Sequence, residues 1–239
     1  TQGELRREVT QDGRTIATGD IEMVPSSPGS QVVLTIDRAL QYELELATAD
    51  YIASMGAQGG MVIVQEVATG DVLAVVNVSR GADQVVRPTT ANLALTAPFE
   101  PGSVNKLITV AKAIDEGLVA SDTSMYLPNR YTYLQGTEWE KVFTDSHTRP
   151  DVSWPVSKIV TESSNVGVIR IAELLKPELL DEAMRDFGLG ATTGSSFPAE
   201  SKGIYPELDD WSGTSLPTIA IGQGVAVTAL QMVNAYTAI

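Results

Sequence analysis

The pattern Ser103-Val104-Asn105-Lys106 sets an alcohol three positions before an amine, and S-x-x-K occurs once in the 239 residues. On a helix that offset puts both side chains on one face, about one turn apart. A serine hydroxyl is a poor nucleophile until a base takes its proton, and a neutral lysine amine can be that base. Lowering a lysine pKa from about 10.4 to about 7 takes roughly 4.6 kcal/mol of differential destabilisation of the cation. Burial, a nearby positive group and a helix N-terminus all push in that direction. The same N-terminus aims free backbone N–H groups at a developing oxyanion. Spacing alone decides little, because chance gives about 0.45 such patterns in a chain of this composition. In the bland alternative Ser103 is an N-cap and Lys106 an exposed first-turn residue, where a cation is electrostatically unfavourable.

Ser163-Ser164-Asn165, directly before an apolar run, is the second candidate. Ser and Asn are ordinary N-caps, which is one reading. In the other, Ser163 shuttles a proton beside the lysine and Asn165 holds a substrate carbonyl or the lysine. Ser103-Val104-Asn105 also fits S-x-N, but it lies inside the first motif and is set aside. The lone histidine, His147, sits in Asp145-Ser146-His147. A Ser-His-Asp triad is a spatial arrangement that spacing cannot refute. The chain has no G-x-S-x-G elbow, however, and His147 reads as a structural residue in a polar loop.

Several elements must position these residues. Residues 1–36 read as extended, with a hairpin from Val9 to Ile16 around Asp12-Gly13. Pro25–Gly29 is a linker-like break, and Val32–Ile36 reads as a strand. Asp37 should cap a helix to about Ser54, with Leu40, Leu44, Ala47 and Tyr51 facing a core. Met61–Val67 and Val72–Val78 read as a β-hairpin central in a sheet. Both runs are apolar on both faces, so helices should cover each side. Ser103 to about Glu116 should be a helix closed by Gly117. Residues 120–155 read as an irregular excursion with short helices. Asn165–Leu175 and Glu178–Phe187 are two further helices, 189–216 reads as loops, and Thr228 opens another helix. Helices interleaved with a hairpin indicate a mixed α/β (α+β) fold, not a doubly wound one.

Composition narrows the function classes. A hydrophobic fraction of 43% supports a packed core. No apolar run approaches the roughly 20 residues a membrane helix needs. A net charge of −14 makes nucleic acid a poor partner. No cysteine is present, so thiolate zinc sites and cysteine nucleophiles are excluded, and a single histidine excludes a His-rich metal site. The chain opens Thr1-Gln2-Gly3 without an apolar signal segment, so any membrane anchor is expected upstream.

At these residues the chain resembles a class B penicillin-binding protein, whose superfamily carries S-x-x-K, S-x-N and K-[ST]-G motifs. Phe99-Glu100-Pro101-Gly102-Ser103 resembles the segment entering the nucleophile helix, and Ser163-Ser164-Asn165-Val166-Gly167 the second motif. Phe187-Gly188-Leu189-Gly190 with Thr193-Gly194, and Gly222-Gln223-Gly224 with Val227–Gln231, resemble two further family segments. The run from Val32 through Asp37 to Gln41-Tyr42 resembles the opening of the domain. The likeness covers roughly residues 30–239, in the family's order.

The resemblance implies a penicillin-binding/serine β-lactamase-like transpeptidase fold, with an antiparallel sheet flanked by helices and a mostly helical subdomain. Residues 1–30 would be an extended lead-in from an upstream non-catalytic module, and 31–239 the transpeptidase domain. It implies that Ser103 attacks the penultimate D-Ala carbonyl of a peptidoglycan stem peptide and that Lys106 is its general base. Ser163 and Asn165 would complete the relay, with Ser164 and Gly222-Gln223-Gly224 at the substrate. β-Lactams would acylate Ser103, and no metal or organic cofactor is implied. Partners would be stem peptides ending in D-Ala-D-Ala and, through the full-length chain, cell-wall synthesis proteins. The site would face the extracytoplasmic side of the bacterial membrane. K-[ST]-G is absent from the sequence; Lys202-Gly203 follows Ser201 and lies before Gly222. The expectation is therefore a domain truncated before that strand, with an incomplete oxyanion hole. Two alternatives stay open: a serine β-lactamase or β-lactam sensor, and a non-catalytic assembly module of the same fold.

Overall fold

The Asp12-Gly13 pair folds the start of the chain back on itself. Gly13 takes a φ of +83°, Thr10 and Arg14 close the turn, and Val9 bridges Thr15. Outside that turn β1 (Glu4–Arg7) pairs antiparallel with β2 (Ile21–Val24). The computed structural model describes residues 2–195 and 197–239, so Thr1 and Ser196 lie outside the described residues. The chain divides into two compact units, residues 1–35 and 36–239. The expected strand Val32–Ile36 does not form. Val32 and Val33 are 80% and 82% exposed, and β-branched composition makes a strand only where a neighbour packs against it.

The second unit opens on α1 (Arg38–Ser54). The Asp37 carboxylate accepts the Ala39 and Leu40 N–H groups at 2.9 and 3.1 Å, as an N-cap should. The helix then lies on the sheet with a face rotated from the expected one. Tyr51 and Ala47 are exposed, while Gln41 exchanges hydrogen bonds with the Val75 backbone and Ile52 lies over Gly60. Only one side of α1 is covered, so a 3–4 spacing of apolar residues does not identify which stripe packs.

The hairpin is β3 (Gly59–Gln65) and β4 (Val72–Arg80), antiparallel, with β5 (Val86–Pro88) on the far edge of β4. The order β3-β4-β5 makes β4 central. Met61 and Ile63 pack beneath α2 (Leu93–Thr96) and Leu230, while Gly60 meets α1. Adjacent strand residues point to opposite faces, so helices cover both sides of this sheet as expected.

Gly102–Asn105 forms a 3-10 turn that runs directly into α3 (Lys106–Asp115), and Gly117 ends the helix at φ +66°. The region 120–155 corrects the expected short helices. It is two nested antiparallel ladders, β6 (Ser124–Leu127) with β9 (Val152–Pro155) outside β7 (Arg130–Tyr133) with β8 (Lys141–Thr144). Four-residue strands whose partners lie up to about 30 residues away leave little periodicity to read. Next come α4 (Val156–Thr161) and α5 (Asn165–Asp186), the latter broken at Lys176 (φ 63°) before Pro177. The break divides α5 into the two expected helices, because a proline removes a helical N–H and restricts the residue before it. After the expected loops come α6 (Ser215–Ala220) and α7 (Ala229–Thr237), the latter with a Thr228/Gln231 capping box.

The main core is helical. Ile108 and Val110 of α3 meet Ile169, Leu175, Leu180 and Met184 of α5 and Ile219 of α6, and most of these side chains have no exposed surface. This packing holds α3, and with it the S-x-x-K turn, at a fixed position in the fold. Mixed α/β architecture with only antiparallel pairing among the described residues is the fold class the sequence indicated.

Candidate active site

Ser103 lies in the 3-10 turn and Lys106 is the first residue of α3. In a 3-10 turn residues i and i+3 eclipse, so both side chains share one face more strictly than an α-helix would impose. Ser103 is exposed, and its hydroxyl has no hydrogen-bond partner among the described residues. Lys106 is 5% exposed. Its Nζ donates to the Ser163 carbonyl at 2.6 Å and to Ser163 Oγ at 3.1 Å. All three residues line one cavity of about 250 Å³, together with Val160, Val168 and Tyr236.

Burial pulls the Lys106 pKa down from 10.5 to about 8, against an opposing pull from the Asp145 carboxylate. That fall multiplies the neutral fraction at pH 7 about 300-fold. The amine is thus prepared to accept a proton by the first of the three effects the sequence suggested, desolvation. A second cation is not among the causes.

The backbone explains how Ser163 reaches the amine. α4 ends in a Schellman motif: the Ser163 N–H donates to the Val160 carbonyl at 3.0 Å and the Ser164 N–H to Ile159 at 2.9 Å. Ser163 therefore occupies the left-handed position, with φ +51°, where glycine is usual. A non-glycine residue there carries strain, and it turns both the carbonyl and the hydroxyl of Ser163 toward Lys106.

The remaining expected residues fall elsewhere. Ser164 is fully buried; its hydroxyl accepts the Gly167 N–H at 2.9 Å and donates to Asp145. It caps α5 from inside the fold, which corrects the expectation that it faces a substrate. Asn165 donates to the Thr144 carbonyl at 3.0 Å and does not bind the lysine. Gly222 is buried behind the nucleophile turn, its carbonyl accepting the Gly102 N–H at 2.9 Å. Gly224 N–H donates to Glu100 at 2.9 Å, while Gln223 is exposed and tied by its backbone to Thr218. Gly222-Gln223-Gly224 thus braces the approach to Ser103 and does not line its cavity. His147 is exposed and likewise outside that lining.

Three residues have no role beside the lysine in the sequence reading. Tyr236 lines the cavity and donates its hydroxyl to the Val104 carbonyl at 2.7 Å. Asp145 and Arg149 form an ion pair at 2.7 Å, one-tenth exposed on each side. An acidic and a basic residue four apart in a stretch without helical periodicity give no sequence signal that they are buried.

With that geometry established, comparison with known proteins is informative. The penicillin-binding protein transpeptidase domain family matches residues 60–239. Penicillin-binding protein PbpB of Mycolicibacterium smegmatis is 33% identical over 99% of this chain and 36% of its own length. The peptidoglycan D,D-transpeptidase FtsI of Escherichia coli is 29% identical over 95% of this chain and 38% of its own. Penicillin-binding protein 3 of Mycobacterium tuberculosis, crystallised with ampicillin, superposes with a TM-score of 0.80 at 32% identity, covering 88% of this chain and 46% of that one. The chain belongs to the penicillin-binding protein transpeptidase domain family, as its resemblance to the class B members indicated. It spans between a third and two-fifths of the length of these curated relatives.

Proposed function

We propose that this chain is the catalytic domain of a peptidoglycan D,D-transpeptidase that works through an acyl-enzyme on Ser103. The observation that carries the reading is Lys106: a buried amine with a pKa of about 8, one 3-10 turn from an exposed, unpartnered serine hydroxyl. Ser103 Oγ attacks the penultimate D-Ala carbonyl and loses its proton to neutral Lys106. The C–N bond to the terminal D-Ala breaks, and Lys106, through Ser163 Oγ, returns the proton to the leaving amine. The amine of a neighbouring stem peptide then attacks the ester, giving up a proton along the same route, and Ser103 is released. A β-lactam enters by the first step, and its cleaved ring stays tethered as the acyl group. Relatives named as D,D-transpeptidases and a relative crystallised with ampicillin support this reading.

Peptidoglycan lies outside the cytoplasmic membrane, so this reading places the domain on the extracytoplasmic face, anchored by another part of the protein. Among the described residues no helix is long and apolar enough to cross a membrane.

Fluorescent penicillin should label the full-length protein one-to-one, with mass spectrometry placing the adduct on Ser103, while the chain without K-[ST]-G should label at the same residue about 10²–10³-fold more slowly. Ser103→Ala should abolish labelling while leaving the melting temperature within a few degrees. Labelling that survives in this variant would exclude Ser103 as the nucleophile. Ser163→Gly offers a second check. Glycine relieves the left-handed strain, so stability should hold or rise by up to about 1 kcal/mol. Acylation should slow about 10–100-fold, because the hydroxyl that passes the proton is gone. Unchanged acylation in Ser163→Gly would remove Ser163 from the relay.

A further inference from the structure

Asp145 sits where the second motif and the lysine meet. Its carboxylate accepts the Ser164 hydroxyl at 3.0 Å, the Val166 N–H at 3.0 Å and Arg149 Nε at 2.7 Å. Ser164 and Val166 flank Asn165 at the N-terminus of α5, and Ser164 directly follows the residue that holds Lys106. An anion at a helix N-terminus is favourable, and this one has three donors in a nearly closed site. Such a group is expensive to bury without a role, and its cation is only partly used. Arg149 Nη1 reaches the Leu127 and Pro150 carbonyls, while Nη2 is buried with no hydrogen-bond partner.

We propose that Asp145, held in place by Arg149, is a positioning residue of this site, tethering the Ser163–Asn165 turn to Lys106 and supplying the negative charge felt at the amine. The inference rests on the roles given above to Ser103 and Lys106. Three features support it. The tether runs through Ser164 and Val166, so it fixes the backbone whose neighbouring carbonyl lies 2.6 Å from Lys106 Nζ. The carboxylate is the one charge that offsets burial at Lys106. Arg149 stacks on Trp154 at 4.9 Å, which holds the guanidinium beside the carboxylate.

The other charged or titratable groups nearby are few. Tyr236, from α7, shares the cavity with Lys106 but donates its hydroxyl to Val104. Lys158, from α4, also lies over the Trp154 ring, at 5.9 Å, and is paired with Glu162. His147 lies between the two ion-pair residues in sequence and is exposed.

The carboxylate, and not its counter-ion, is the charge felt at Lys106. The test is an NMR titration of the protein carrying [ε-13C]lysine, with the Lys106 signal assigned by its loss in Lys106→Met. In Asp145→Asn the Lys106 midpoint should fall by about one pH unit, and in Arg149→Met, which removes a cation that does not act on the amine, it should stay within about 0.2 unit. The double variant Asp145→Asn/Arg149→Met replaces a buried ion pair by neutral groups, an exchange that folds tolerate well. Its midpoint should fall by about as much as in Asp145→Asn alone. Ser164→Ala cuts the side-chain half of the tether, leaves the Val166 N–H half and removes no charge, so it should slow penicillin acylation about 10-fold at every pH with the midpoint unmoved. A midpoint that stays within about 0.2 unit in Asp145→Asn or in the double variant, or that falls in Arg149→Met as far as in Asp145→Asn, would overturn the proposal. The titration needs no acyl donor, so failure of the unsubstituted protein to react with penicillin would count against the function reading, and the midpoints would still judge Asp145.

Discussion

Lys106→Met should slow acylation of Ser103 by about 10²–10⁴-fold, the range a positioned general base contributes, and should make the protein more stable at pH 7. Both effects follow from one fact, that the amine is buried with a pKa drawn down to about 8. A lysine whose pKa is lower folded than unfolded resists protonation by the fold. Below pH 8 both states are protonated, and the folded state bears the whole penalty, about 3 kcal/mol at 1.36 per unit. As pH rises from about 8 to about 10.5 the unfolded chain still binds the proton, the folded chain has lost it, and the penalty fades. Methionine fills similar volume without the charge, but it leaves the Ser163 carbonyl without its donor, which costs about 1–2 kcal/mol. The net gain at pH 7 is thus about 1–2 kcal/mol, and it should reverse to a loss of about 1–2 kcal/mol above about pH 10, where only the missing hydrogen bond remains.

The rate side has its own signature. Acylation in the unsubstituted protein should rise with pH through about 8, and Lys106→Met should lose that limb. Lys106→Arg separates base from charge. Arginine stays protonated at any accessible pH, so it can donate to Ser163 and supply a positive field but cannot take the serine proton. If Lys106 is the base, Arg should be as slow as Met. An arginine variant within 10-fold of the unsubstituted rate would assign the lysine an electrostatic role only. Stopped-flow acylation by a chromogenic cephalosporin and denaturant melts across pH 6–10 read both halves.

The chemistry was more legible in the sequence than the framework around it, for identifiable reasons. Ser103 and Lys106 lie three residues apart in one local turn, so their proximity needs no tertiary information. The α1 cap at Asp37 and the end of α3 at Gly117 are equally local, and both form as expected. Ser163 is legible as a residue type, but its left-handed backbone depends on α4 ending at Thr161 with Glu162 as its C-cap. Asp145 lies 18 positions before Ser163, in a stretch whose strands pair across long separations, and only packing brings it to the N-terminus of α5. Ser164 shows the same limit from the other side. Its place in the motif suggested contact with substrate, yet the helix it caps pulls its hydroxyl inside. Gly222-Gln223-Gly224 is legible as a family pattern, and the physical reason for Gly222 is a backbone contact with Gly102, 120 residues away.

Gly222→Ala should be among the most destabilising single-methyl changes in the chain. Gly222 has φ +77°, where an alanine costs about 1–2 kcal/mol, and its carbonyl receives the Gly102 N–H. A Cβ there would run into the Gly102 carbonyl and would lie 2.7 Å from the Gly102 nitrogen and 2.8 Å from Asn105 Cβ. These neighbours cannot yield cheaply. Gly102 is itself held at φ +58° by the turn it begins, and Asn105 is fully buried, its Nδ2 bonded to the Ile219 carbonyl at 2.9 Å. Overpacking of this kind costs about 1–3 kcal/mol beyond the backbone strain. The sum, about 2–5 kcal/mol, should lower the melting temperature by roughly 5–15 °C in a domain of this size. The displaced atoms belong to the turn that carries Ser103, so acylation should fall even below the melting range, by about 10²-fold if the turn moves by 1 Å. Gly224→Ala gives the contrast. It has a similar backbone, φ +73°, but the nearest atom to an added Cβ is Thr218 Oγ1 at 3.9 Å. That variant should show the strain alone, about 1–2 kcal/mol, with acylation nearly intact. Equal losses of acylation in the two variants would mean that the close approach of Gly222 to Gly102 does not hold the nucleophile in place.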